Sequence, residues 1–243
     1  MEVHHPHHPT HKKKWSEYII EFVMLFTAVT LGFFAENIRE SIAEQHKKKE
    51  TLESVAIDFE KDIKQLEFHK NFDLDKIKIC DSLDSLIDIN PEKIDQKLYY
   101  RLINNYYMSW KFNSNNRSRI ESEAKGYFSN ENNSELATYI SKYTFHLTDY
   151  NDNTVIEQEN YMNFYKNENM RRFVDVSLQR VASRYPRVDI ESKLGIKPIS
   201  AESKEILRFY LNGTRVFNDI GLYNIDSLQF YANKAIAIIR KEK

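Results

Sequence analysis

The chain has 243 residues, 41% of them hydrophobic and 29% charged, with a formal net charge of −1. That supply of apolar side chains supports a packed core and excludes disorder for the whole, while the missing basic excess argues against a nucleic-acid partner, which requires phosphates to be neutralised. A single cysteine, Cys80, excludes an internal disulfide framework and any multi-cysteine zinc or iron–sulfur site.

Residues 1–14 read as a solvated tail. The stretch "HHPHHPTHKKK" carries His4, His5, His7, His8 and His11, and Pro6 and Pro9 within it oppose a helix and favour an extended chain. Neutral imidazoles at this density could hold Zn²⁺, Ni²⁺ or Cu²⁺. No carboxylate or thiolate stands ready to close such a site, and a flexible tail loses conformational entropy on chelating. Metal handling is therefore the alternative reading and a disordered tail the first.

Residues 15–37 read as a transmembrane helix. Fourteen uncharged residues, Phe22 to Ala35, lie between Glu21 and Glu36, and Tyr18 to Ile20 extend the run toward the roughly 20 residues that a bilayer core requires. Trp15 and Tyr18 stand where an interfacial aromatic belt would be, beside three lysines. A signal peptide fits less well, since no small-residue cleavage site follows and the pattern continues unbroken; a buried soluble helix is seldom apolar all round. Glu21 lies one turn inside the belt, where its carboxylate could snorkel to the headgroups; its alternative role is an ion-pathway acid. Ala28, Gly32 and Ala35 clear one helix face for close packing against a second helix, so a homo-oligomer is expected. Lys12 to Lys14 abut the apolar edge more closely than Lys47 to Lys49 do. This places the N-terminus inside and residues 38–243 outside.

Residues 38–243 read as an elongated antiparallel, four-helix-like bundle. Five Gly and five Pro leave few breakers. Ile38, Ile42, Leu52, Val55, Phe59, Ile63 and Leu66 recur at mostly three- and four-residue spacing, so the first helix is expected to continue from the membrane to near Asp88. "DINPEKIDQ" is a turn, with Pro91 at a first helical position. A tyrosine-rich helix then runs to about Trp110, "KFNSNNRS" breaks it, and a short helix covers Arg117 to Tyr127. Asn133 or Ser134 caps a helix through Phe164 to about Ser183. Ser200 and Ser203 offer caps for a helix from about Ala201, "NDIGLYN" interrupts that helix, and a last one carries Leu228, Ala232, Ala235 and Ile239. No strand alternation occurs. The fold class is all-α, an N-terminal transmembrane helix continuing into the bundle.

Motifs for chemistry are lacking. There is no P-loop, G-x-G-x-x-G, G-x-S-x-G, H-E-x-x-H or C-x-x-C. Cys80 reads as core packing. His69 and His146 could meet as a metal pair only by accident of folding. Glu121/Glu123 and Glu157/Glu159 are spaced two apart, which does not put both members on one helix face. No enzyme and no cofactor is expected.

Two stretches carry a resemblance. Leu31, Gly32, Phe33, Ala35 and Glu36 form an L-G-F-x-A-E span end, and Gly126, Leu136, Ile140 and Tyr143 match a later helix–turn segment. Together these resemble an uncharacterised family of single-pass membrane proteins of the Bacteroidota. The resemblance covers about residues 15 to 145, and Ala124-Lys125-Gly126 stands where that family has a serine–glycine pair. It implies an inner-membrane anchor with an envelope-facing helical domain, and it supplies no catalytic residues. Apart from the resemblance, membrane lipid is an expected partner and an envelope protein a further candidate. The function expected is a non-enzymatic interaction, scaffolding or sensory module.

Overall fold

A computed structural model describes residues 14–106, 108–128, 134–166, 196 and 199–241. Among the described residues five helices follow one another: α1 Trp15–Ile87, α2 Gln96–Tyr106, α3 Arg117–Ala124, α4 Ser134–Lys166 and α5 Ala201–Lys241, with a 3₁₀ turn at Pro91–Lys93. The described residues contain no strand, and the protein is all-α. The chain divides into two units, residues 1–50 and 51–243.

In the first unit α1 carries the apolar stretch. An 18-residue window there has mean hydropathy 2.0, and none of it is buried. Phe22, Leu25, Phe26 and Phe33 are 62–69% exposed. This helix is long and apolar enough to cross a membrane. Thr30 donates its hydroxyl to the Phe26 carbonyl at 2.7 Å, an internal partner that suits a polar side chain among apolar ones.

The second unit is a bundle whose long helices share one rule of spacing. On α1 the buried positions run Leu52, Val55, Phe59, Asp62, Leu66, His69, Asp73, Lys76, Cys80, Leu83 and Ile87, alternating three and four residues. On α5 the same alternation runs from Leu211 through Thr214, Asn218, Gly221, Ile225, Leu228, Ala232 and Ala235 to Ile239. A period near 3.5 keeps a seam facing its neighbours when helices cross at a small angle. The register follows from cross-helix pairs. Arg240 meets Glu60 at 2.8 Å, Lys70 meets Asp226 at 2.7 Å and Arg215 meets Asp81 at 2.8 Å, so α1 and α5 are antiparallel. Tyr143 reaches Asp62 and Tyr150 reaches His69, so α1 and α4 are parallel.

The limb that returns along α1 is composite. Asp95 caps α2, accepting from the Leu98 amide at 3.2 Å. α2 ends at Tyr106, earlier than the expected Trp110, and residues 108–116, which have no regular secondary structure, precede α3. α3 closes on Lys125, with Gly126 at φ 68°, and the bonds Gly126 N–H to Glu123 and Tyr127 N–H to Ser122, both 2.9 Å, form a Schellman turn. The left-handed φ explains the glycine there.

"NDIGLYN" does not interrupt anything: α5 is continuous from Ala201 to Lys241. Its polar residues are engaged sideways, Asn218 with Glu157 and Asn224 with Asp149, and Gly221 is small because Asp73 packs against it. Their side chains are bound to neighbouring helices, and Asn218 also donates to the Thr214 carbonyl one turn back at 2.8 Å, a bond that a continuous helix accommodates. Ser200 does cap α5, accepting from the Ser203 amide at 3.2 Å. The expected run of α4 beyond Lys166 to Ser183 lies outside the described residues.

Apolar burial is split in two. One cluster holds Cys80, Leu83, Ile87, Tyr99, Ile103, Phe164 and Leu207, among others; the second holds Leu52, Val55, Phe59, Leu66, Tyr143, Ile225 and Leu228. Polar residues occupy the seam between them.

Candidate functional site

The layer between the two clusters is built from seam positions of three helices: Asp73 and Lys76 of α1, Glu157 of α4, and Thr214 and Asn218 of α5. All five are buried, Lys76 at 1% exposure and Glu157 at 7%. Charged side chains are seldom buried to this extent without partners, and each of these has them.

Lys76 donates to the carbonyls of Asn105 and Tyr106 in the last turn of α2, the negative end of its dipole, and to that of Met108 just beyond. Its ammonium also lies 4.7 Å from the Tyr161 ring centre. Burial pulls its pKa down to about 8, against the attraction of Glu157, Cys80 and Asp73. The Glu157 carboxylate accepts from the Tyr161 hydroxyl and, at 2.9 Å, from the Asn218 amide. Asp73 accepts from the Tyr150 hydroxyl; burial first, then the charge of Glu157, pushes its pKa up to about 7, with Lys76 and Tyr150 opposing. Because Tyr150 gives its proton to Asp73, His69, 3.2 Å away, meets that oxygen through a protonated Nδ1. Burial lowers the His69 pKa, which favours the neutral ring. Thr214 donates to the Tyr210 carbonyl at 3.0 Å, so the Tyr106 hydroxyl donates to Thr214 at 3.0 Å.

Comparison with protein-family models, with curated proteins and with solved structures finds no match to this chain. The site is characterised by its own geometry.

Beside Glu157 a cavity of about 240 Å³ opens between α4 and α5, bounded also by Tyr106 of α2. Tyr161, Phe209, Tyr210 and Phe217 supply ring walls, and Asn160, Gly213 and Thr214 complete it. A smaller polar pocket on the other side of Glu157 and Phe217 contains Asp73, Tyr150 and Gly221. Two further polar clusters are structural. Fully buried Asp62 accepts from the Asn115 backbone at 2.8 Å, from Tyr143 at 2.7 Å and from Ser114, anchoring the start of α3. Asn151 of α4 brackets Phe112, accepting from its amide at 3.2 Å and donating to its carbonyl at 3.1 Å. Lys76, Asn151 and Asp62 thus satisfy the backbone of the non-helical segment, which has no helix or sheet of its own to do so.

The residues singled out in the sequence fall elsewhere. Trp15 is 81% and Tyr18 56% exposed, and Glu21 is exposed beside them on α1. Ala28, Gly32 and Ala35 are exposed on one face of α1, and a Cβ added at Gly32 would meet nothing within 4 Å. His4, His5, His7, His8 and His11 lie outside the described residues. His69 and His146 do not form a pair: His69 contacts Tyr150, whereas His146 donates to Asn224 at 2.8 Å and stacks on Tyr231. Among the described residues no three His, Cys, Asp or Glu gather as a metal site. Cys80 is buried, and burial pushes its thiol up to about 12, which removes it as a nucleophile. The sequence reading missed Asp73, Lys76 and Glu157. A signal existed: continuing the α1 stripe past Leu66 lands on His69, Asp73 and Lys76 before Cys80 and Leu83. Glu157, set aside for its spacing from Glu159, falls on the same kind of stripe between Tyr150 and Tyr161.

Proposed function

We propose that the protein is a single-pass, membrane-anchored helical module of the bacterial cell envelope that works by binding and not by catalysis, as an interaction, scaffolding or sensory component. The observation that carries this reading is helix α1 itself. One uninterrupted helix, Trp15–Ile87, contributes an exposed apolar stretch at one end and a buried seam at the other. Exposed apolar surface on that scale calls for lipid or another protein as a partner. The buried polar groups support a non-catalytic role. Lys76, Asp62 and Asn151 are committed to backbone groups, and the Cys80 thiol is held protonated.

The lysine cluster against the apolar edge supports an N-terminus on the cytoplasmic side and a bundle on the periplasmic side of the inner membrane. Alkaline phosphatase fused after Lys243 is expected to be active, and a fluorescent protein fused there dark. The reverse pattern would place the bundle in the cytoplasm.

A further inference from the structure

We propose that the cavity between α4 and α5 is a binding site for a small organic ammonium ion, its charge set against aromatic rings and the Glu157 carboxylate. The inference concerns the bundle alone and goes beyond the proposed anchoring role, on which it does not depend.

Three observations lead to it. First, the walls suit a diffuse cation: Tyr106, Tyr161, Phe209, Tyr210 and Phe217 surround the space, and among the described residues that line it Glu157 is the one charged group. Ring faces attract organic ammonium ions, and do so more strongly away from water. A divalent metal would ask for several hard ligands at once, and no such cluster is present among the described residues. Second, among the described residues the charges of the layer do not balance. Asp73 and Glu157 are two carboxylates, whereas Lys76 is one ammonium, already engaged by three carbonyls. Third, the space is kept open by the sequence. Gly213 lines the cavity within α5, where glycine costs a helix about 1 kcal/mol relative to alanine. A Cβ there would meet nothing within 4 Å, so close packing does not explain it. Phe209, 75% exposed, marks the solvent side, and buried Tyr161 and Glu157 mark the floor. At about 240 Å³ the cavity is just below the usual range of small-ligand sites, about 300–1,000 Å³, so the ion must be small.

The missing positive charge can be supplied by a proton or by the ligand. Among the described residues, the titratable groups facing Asp73 are His69 and Lys76 from α1 and Tyr150 and Glu157 from α4; α5 and the α2–α3 segment present neutral Phe217, Asn218, Gly221 and Trp110. Asp73, raised to about 7, holds a proton in mild acid and releases it above neutrality. A cation bound beside Glu157 therefore competes with that proton, and its affinity rises from pH 6 to pH 8.

Calorimetric titration of the full chain in lipid nanodiscs with choline chloride, and with its neutral isostere 3,3-dimethylbutan-1-ol, tests the site. Choline is expected to bind at pH 8 at least about tenfold more tightly than the isostere, less tightly at pH 6, and not measurably to Gly213→Leu, whose side chain would occupy the cavity that Gly213 lines. Glu157→Gln, checked for folding by circular dichroism, should lose the preference for the cation. Equal binding of the isostere would overturn the cationic reading. Binding that survives Gly213→Leu would place the site elsewhere. Failure of both choline and tetramethylammonium to bind at millimolar concentration would refute the proposal outright.

Discussion

Asp73 occupies a seam position that spacing alone would give to leucine, and its carboxyl carries a corresponding cost. An acid whose folded pKa is raised binds a proton more readily in the native state than in the unfolded one. Between its ordinary value of 3.8 and about 7, native chains hold more protons than unfolded ones, so stability falls as pH rises across that window. The slope from this one group is up to about 1.4 kcal/mol per pH unit. His69 acts in the opposite sense: its lowered pKa makes stability fall as pH drops below its ordinary 6.5. The difference between wild type and Asp73→Asn therefore isolates the carboxyl. The variant should gain stability relative to wild type on going from pH 5 to pH 7.5, read from urea midpoints at each pH. A difference that stays constant across this range would mean that burial does not hold the proton.

At the scale of the element, α5 contains two glycines that the same substitution should separate. Both lie inside the helix, where alanine is favoured by roughly 1 kcal/mol on propensity. At Gly213 a new Cβ meets nothing within 4 Å, so Gly213→Ala should stabilise the bundle by about 0.5–1 kcal/mol. At Gly221 the Cβ would lie 2.6 Å from the Asp73 carboxylate oxygen and 3.4 Å from the Tyr150 ring. Both groups are seam residues held by hydrogen bonds, so Gly221→Ala should destabilise by about 1–3 kcal/mol despite the gain in propensity. Thermal unfolding of the two variants side by side checks the sign; the same sign for both would mean that Asp73 moves aside freely. The return limb illustrates the converse relation. α2 and α3 are short, and side chains from α1 and α4 complete their ends and the backbone between them.

For the whole molecule, the division at residue 50 carries an expected outcome. A fragment from Thr51 to Lys243 contains every residue of both apolar clusters and of the polar layer, so it should fold alone and give a helical circular dichroism spectrum with cooperative unfolding. A non-cooperative melt would show that the bundle needs the first unit. Self-association is expected to reside in the other unit. Gly32→Ile, on the face shared with Ala28 and Ala35, should weaken a dimer by about 1 kcal/mol or more, and Val29→Ile, on another face, should not. Equal crosslinking of both variants in a bilayer would exclude that face as the interface. The sequence by itself determined the all-α class, the length of α1, its apolar stretch, the turn at Pro91 and a serine cap at the start of α5, because these follow from periodicity, side-chain volume and bonds between near neighbours; the structure chose Ser200 over Ser203 for that cap. Only the tertiary structure decided that Asp73, Lys76 and Glu157 lie inside. Periodicity marks the buried face by its apolar residues, and a polar side chain on that face reads as an interruption until its partner is known. Those partners stand far off in the chain, Asp73 with Tyr150 and Glu157 with Asn218. The same reason governs α5: Asn218, Gly221 and Asn224 break a helix in isolation and join three helices in the bundle.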